Sequence, residues 1–170
     1  MFHKEDSLKK RLVVKQKTSC SHGVFCYCIN FLIFRLYEDF RNSKLHEAYF
    51  ENLTKTKEAF PDSSPLKTQI EKTFGNIEAW ETDFKAIGSL RGIGWAMLVY
   101  DIEAHELYNI WVDEHHVGHL VHTIPLLVMD VFEHAFLLDY GVDRKSYINN
   151  FFDYIAWETV LERFTKISST

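Results

Sequence analysis

Asp130 and His134 lie four residues apart where an apolar run gives way to a helical pattern, so a carboxylate and an imidazole share one face of a helical turn. A carboxylate oxygen and an imidazole nitrogen so placed can reach a single metal ion. The run Leu126–Met129 ahead of them would bury that ion in dry surroundings, where a lone Asp is costly without a cation. The plainer reading is an Asp N-cap followed by a surface His. Two further clusters carry metal-binding residue types. His115, His116, His119 and His122 recur at spacings of three and four; they form either a metal patch or solvated and cross-strand side chains. Cys20, His22, Cys26 and Cys28 offer four soft ligands, enough in type and number for tetrahedral zinc. Their spacing is not a standard zinc pattern, and cysteines in an apolar stretch also serve as small hydrophobes.

The elements that must position these groups can be read from periodicity and punctuation. Residues 1–19 are polar and basic, a frayed end or a short helix. Residues 24–60 contain no Gly or Pro. Phe31, Phe34 and Tyr37, then Leu45, Tyr49 and Leu53, recur there at helical spacings, which predicts helix across the segment. Pro61-Asp-Ser-Ser-Pro65 breaks it and marks a domain boundary. A short helix over Leu66–Phe74 ends at Gly75, and Asn76 opens a second over Ile77–Leu90 with Glu78 in its first turn. Gly88, Gly92 and Gly94 precede a strand over Trp95–Tyr100. Leu107–Val112 reads as its partner across Asp101–Glu106, and Pro125–Met129 as a third strand after the His-rich loop. Helices over Phe132–Tyr140 and Arg144–Thr165 close the chain. The expected fold class is therefore α+β, in two parts. Residues 1–62 form a helical segment, and residues 63–170 form an α/β domain with a three-stranded antiparallel sheet flanked by helices.

Composition bounds the function classes. The chain is 46% apolar and 25% charged, as soluble globular proteins are, and 170 residues suffice for a sizeable core. Nineteen basic against 24 acidic residues give a net charge of −5, and no basic patch stands out, which argues against nucleic-acid binding. No apolar run approaches the about 20 residues that span a bilayer, and the charged start lacks the apolar core of a secretory signal. An odd number of cysteines, crowded into Cys20–Cys28, gives no disulfide framework and points to a reducing cytoplasm.

Asp130-Val-Phe-Glu-His134-Ala-Phe136 resembles the D-V-W-E-H-A-Y/F signature of the iron/manganese superoxide dismutases. Gly92-Ile-Gly-Trp95-Ala-Met-Leu is similar to that family's G-S-G-W-A-W-L strand opening. Leu138-Asp-Tyr140, Arg144, Tyr147 and Trp157 through Arg163 match its closing helices in order and spacing. The likeness runs from about Pro65 to Phe164. Upstream, Leu45-His46-Glu-Ala-Tyr49-Phe50-Glu-Asn52-Leu53 resembles the L-H-E-x-Y-F-x-N-L of one branch.

The resemblance implies one iron or manganese ion per subunit, held by three His and one Asp, and disproportionation of superoxide. Asp130 and His134 carry over as ligands, and His46 as the ligand on the second long helix. For the first-helix ligand only His3 and His22 stand upstream, and His22, at the start of the helical segment, is the better candidate; should the first helix be lost, three ligands remain. His115 falls at the position of an outer-sphere residue that hydrogen-bonds metal-bound solvent. Trp95 and Phe132 would wall the pocket, and Arg144 would steer the anionic substrate. Glu133 would bridge to the ligand His of a second subunit in a homodimer. The chain departs from the family at Leu137, Phe132 and Met97 and has no clear match to the first-helix Tyr, for which Tyr27 and Tyr37 are candidates. A second reading follows from those departures: a catalytically impaired protein of the same fold with a structural or interaction role.

Overall fold

A computed structural model of the chain describes residues 40 and 42–168, all within a compact unit, Glu38–Thr170. The Cys20–Cys28 cluster and His22 lie outside the described residues. Helix α1 covers 42–51 and turns Leu45 and Tyr49 inward; Asn52, just past its end, is buried on the same side, at i+7 from Leu45. It stops there, short of the end at residue 60 expected from the sequence. Leu53 instead bridges to Ile155, and Thr54 N–H donates to Tyr154 O, so distant contacts override local helical preference.

Helix α2, Pro65–Phe74, begins as its residues dictate. Ser64 Oγ accepts from Lys67 N–H, Pro65 fills the first helical position, and Gly75 closes the last turn on Glu71 O. Asn76 caps α3, Ile77–Gly88, by accepting from Ala79 N–H at 2.7 Å. Trp80, Phe84 and Gly88, each four residues apart, put one buried stripe against the sheet.

The sheet follows in the order β2-β1-β3, all antiparallel, from β1 (Gly94–Asp101), β2 (Glu106–Asp113) and β3 (Thr123–Asp130). Central β1 is buried from Gly94 to Tyr100, which explains why its sequence is apolar without alternation. Pro125, which has no N–H to give a ladder, sits in β3, an edge strand. Gly94 is required: its φ is +142°, and a Cβ there would meet Val112 O at 2.3 Å.

Helix α4 (Glu133–Tyr140) leads through Gly141 to α5 (Arg144–Phe151), capped by Asp143. The single closing helix expected over Arg144–Thr165 is in fact two. A 3-10 turn, Phe152–Tyr154, and extended Ile155 interrupt it before α6, Trp157–Ser168. The break lets Ile155 pair with Leu53 and lets Ala156 N–H donate to Asn52 O. α6 then packs on β3 and α2. Among the described residues no helix is long and apolar enough to cross a membrane.

Candidate metal centre

The centre assembles where β3 ends. Leu126, Leu127, Val128 and Met129 are fully buried, and the chain delivers Asp130 at 1% exposure. The β1–β3 register sets Trp95 directly opposite Asp130. Phe132 N–H donates to Asp130 Oδ1 at 2.9 Å, which turns Oδ2 the other way, toward two imidazoles. Val131 N–H donates to Gly94 O, and the chain then enters α4, which brings His134 back one turn above Asp130. His134 Nε2 lies 3.0 Å from Asp130 Oδ2. From α1, His46 Nε2 lies 3.4 Å from the same oxygen and 3.4 Å from His134 Nε2.

Two ligand atoms about 2.0–2.1 Å from one ion and 90–110° apart stand about 2.9–3.4 Å from each other, and these three separations match that range. The protonation chemistry agrees. His46 Nδ1 lies 2.9 Å from Asn42 O, a pure acceptor, so Nδ1 carries a proton and Nε2 is the nitrogen whose lone pair a metal ion would take. That lone pair faces a buried carboxylate oxygen, and a cation between them satisfies both. Burial pushes the Asp130 carboxyl above the ordinary carboxylate range, against the opposing pull of the Phe132 N–H and of His134. His46, Asp130 and His134 are the set of His, Cys, Asp and Glu among the described residues whose ligand atoms converge within 4.8 Å.

Aromatic rings line the centre. Trp95 meets His46 edge-on, with ring centroids 4.9 Å apart, and Phe132 stacks on both His134 and His115. Trp95 Nε1–H donates to His115 Nδ1 at 3.2 Å, which leaves the neutral His115 ring with its proton on Nε2. Burial, with His46 next in effect, lowers the His115 pKa and favours that neutral form. The structure thus brings together His46, Asp130, His134, His115, Trp95 and Phe132. His119 bonds His115 O, and His122 pairs with exposed Glu103 at 2.8 Å. Glu133 is exposed beside His134. Arg144 donates to Gly92 O at 2.8 Å and Gly88 O at 2.7 Å, with its guanidinium 5.7 Å from the Trp111 ring centroid.

Three residues that support the centre had no role assigned from the sequence: Asn52, Tyr147 and Arg163. The legible signal was Asn52, a polar residue in register with Leu45 and Tyr49, just past the end of α1.

A His-His-Asp cluster that could hold one metal ion, at the end of an antiparallel strand flanked by helices, places the chain in the α+β class with a candidate mononuclear metal centre. Residues 61–163 match the iron/manganese superoxide dismutases, C-terminal domain, and the chain belongs to that family. It is 38% identical over 122 residues to a manganese superoxide dismutase of Haloarcula marismortui, the match covering 72% of this chain and 59% of the relative. It is 41% identical over 122 residues to an iron superoxide dismutase of Aquifex pyrophilus, covering 72% of this chain and 56% of the relative. The chain therefore spans less than two thirds of the length of these relatives.

Proposed function

We propose that the centre binds one iron or manganese ion and disproportionates superoxide into oxygen and hydrogen peroxide. The observation that carries this is the convergence of His46 Nε2, Asp130 Oδ2 and His134 Nε2 at separations suited to one ion. A bound ion that alternates between trivalent and divalent states would supply the two one-electron steps, one oxidising superoxide and the other, with two protons, reducing it.

The protein's own residues do the rest. Two neutral imidazoles and one carboxylate leave a divalent ion with net positive charge, which attracts an anion. His115 holds a proton on Nε2 at the rim and can donate it toward solvent at the centre. Trp95 and Phe132 keep bulk water from two sides. Arg144 adds a fixed positive charge, anchored by two carbonyls, that would favour approach of the substrate. In this reading His22 is the candidate fourth ligand, and Glu133, which is exposed beside His134, would bridge to the ligand His of a second subunit in a homodimer. The clustered cysteines fit a cytoplasmic setting.

The test is metal content per subunit of the purified chain by plasma mass spectrometry, for wild type and His134→Ala, followed by a dismutation assay. Near one iron or manganese in wild type, lost in the variant together with activity, is the expected result. Wild type without a redox metal overturns the proposal.

A further inference from the structure

Strand β3 is an edge strand, yet on its outward side the carbonyls of Leu126, Val128 and Asp130 and the N–H of Val128 are bonded by side chains rather than by another strand. Arg163 of α6 donates to Leu126 O at 2.8 Å. Two residues on, the Asn52 side chain closes a two-bond pair with Val128: Val128 N–H donates to Oδ1 at 2.9 Å, and Nδ2–H donates to Val128 O at 3.1 Å. Two residues further, Tyr147 of α5 donates its hydroxyl to Asp130 O at 2.6 Å. Each of these side chains is also fastened to α1. Asn52 directly follows it. Arg163 donates to Ala48 O at 3.0 Å, to Glu51 Oε2 at 3.0 Å and to Asn52 Oδ1 at 3.4 Å. The Tyr147 hydroxyl, its own proton already given to Asp130 O, accepts from Tyr49 Oη at 3.2 Å. Leu126, Val128 and Asp130 lie two residues apart along β3, so the three points of contact follow the strand's period of two.

We infer that this side-chain ladder is the device that aligns two metal ligands from distant parts of the chain. Asn52, with Tyr147 and Arg163, is a positioning residue that fixes α1, and with it His46 Nε2, against β3 and Asp130 Oδ2. A helix lying on a sheet can slide and rotate by fractions of an ångström at little cost in apolar packing. An amide locked in-plane to a strand cannot, because its two bonds are directional. Asn52 is 0% exposed, so truncating it leaves Val128 N–H and O without partners rather than solvated. The inference rests on the reading of His46, Asp130 and His134 as a metal centre, and its test separates the two.

The full chain, stripped of metal, is titrated with Co2+, and both the dissociation constant and the visible absorption of the bound ion are recorded. The proteins compared are wild type, Asn52→Ala, Tyr147→Phe, and Ile70→Ala as a buried aliphatic control on α2 whose side chain takes no part in these hydrogen bonds. Expected is a loss of affinity of about tenfold or more in Asn52→Ala and Tyr147→Phe, the scale of groups that orient ligands. A changed absorption spectrum should accompany it, while Ile70→Ala loses thermal stability but keeps the wild-type spectrum. Tyr147→Phe retains the ring and removes only the hydroxyl, so it decides the matter if Asn52→Ala does not fold. Wild-type affinity and spectrum in the ladder variants overturn the inference and leave the metal centre standing, as does an equal change in Ile70→Ala. Wild type that takes up no Co2+ overturns the centre itself.

Discussion

Asp130 and His134 share a turn of chain and approach to 3.0 Å, but they belong to different kinds of structure. Asp130 ends a buried strand. Its Oδ1 is held by Phe132 N–H, its carbonyl by Tyr147, and its side chain is 1% exposed. His134 sits on an eight-residue helix whose N-cap, Phe132, makes no side-chain cap bond, and its side chain is 58% exposed. The next turn of that helix leaves Leu137 and Leu138 in water. One ligand is thus built into the core during folding, whereas the other is steered into place mainly by the groups it would share a metal with. On the proposed reading, Asp130 would set where the ion goes and His134 would decide whether it stays.

That contrast can be broken from the core side first. Gly94→Ala puts a Cβ against Val112 O beside the Trp95–Asp130 pair. A loss of more than about 3 kcal/mol is expected in denaturant unfolding, from strain at a positive φ plus overpacking. Next comes Asp130→Asn, which keeps the shape and removes the charge. Metal content should fall below about a tenth of wild type, while the metal-free variant melts at or above the metal-free wild type at neutral pH. The sign follows from burial, which raises the folded pKa of Asp130. The unfolded chain loses its proton first, near the ordinary value of about 3.9. Stability of the metal-free protein therefore declines as pH climbs from there through the raised folded value, and is flat above it. Asn52-intact, Asp130→Asn protein should lack that decline, which thermal melts at a series of acidic pH values would reveal. Metal affinity of the wild type should rise over the same interval, because the ligand must be deprotonated.

The smallest structural effect belongs to the exposed partner. His134→Ala should cost metal affinity about 100-fold yet change metal-free stability by about 1 kcal/mol or less, because an exposed polar contact contributes little. A large loss of stability in that variant would erase the distinction between the two ligands.

Much of the fold around Asp130 was legible because its signals are local. Ser64 with Pro65, Gly75 with Asn76, and the alternation of strand and turn residues from Gly94 to Asp130 each specify a boundary by short-range chemistry. His46 was different: nothing in its neighbourhood distinguishes it from a partly buried helical His, and it could be proposed only from the likeness of its whole segment to a family. The two misplaced boundaries share one cause. The end of α1 at residue 51 and the break before Trp157 are set by each other, through Leu53 with Ile155 and Asn52 O with Ala156, across about 100 residues of chain. No local propensity encodes a contact of that range. The same holds for Asn52, Tyr147 and Arg163, whose partners are backbone atoms of a strand distant in sequence.

The amide of Val128 carries a consequence of its own. In a strand, an N–H is ordinarily protected from hydrogen exchange by the neighbouring strand, and it opens when the sheet does. This one is held by the side chain of Asn52, at the end of α1. Its exchange rate therefore records how often the helix lifts off, in a sheet that stays closed. A single proton in β3 is a built-in gauge of whether His46 is in place.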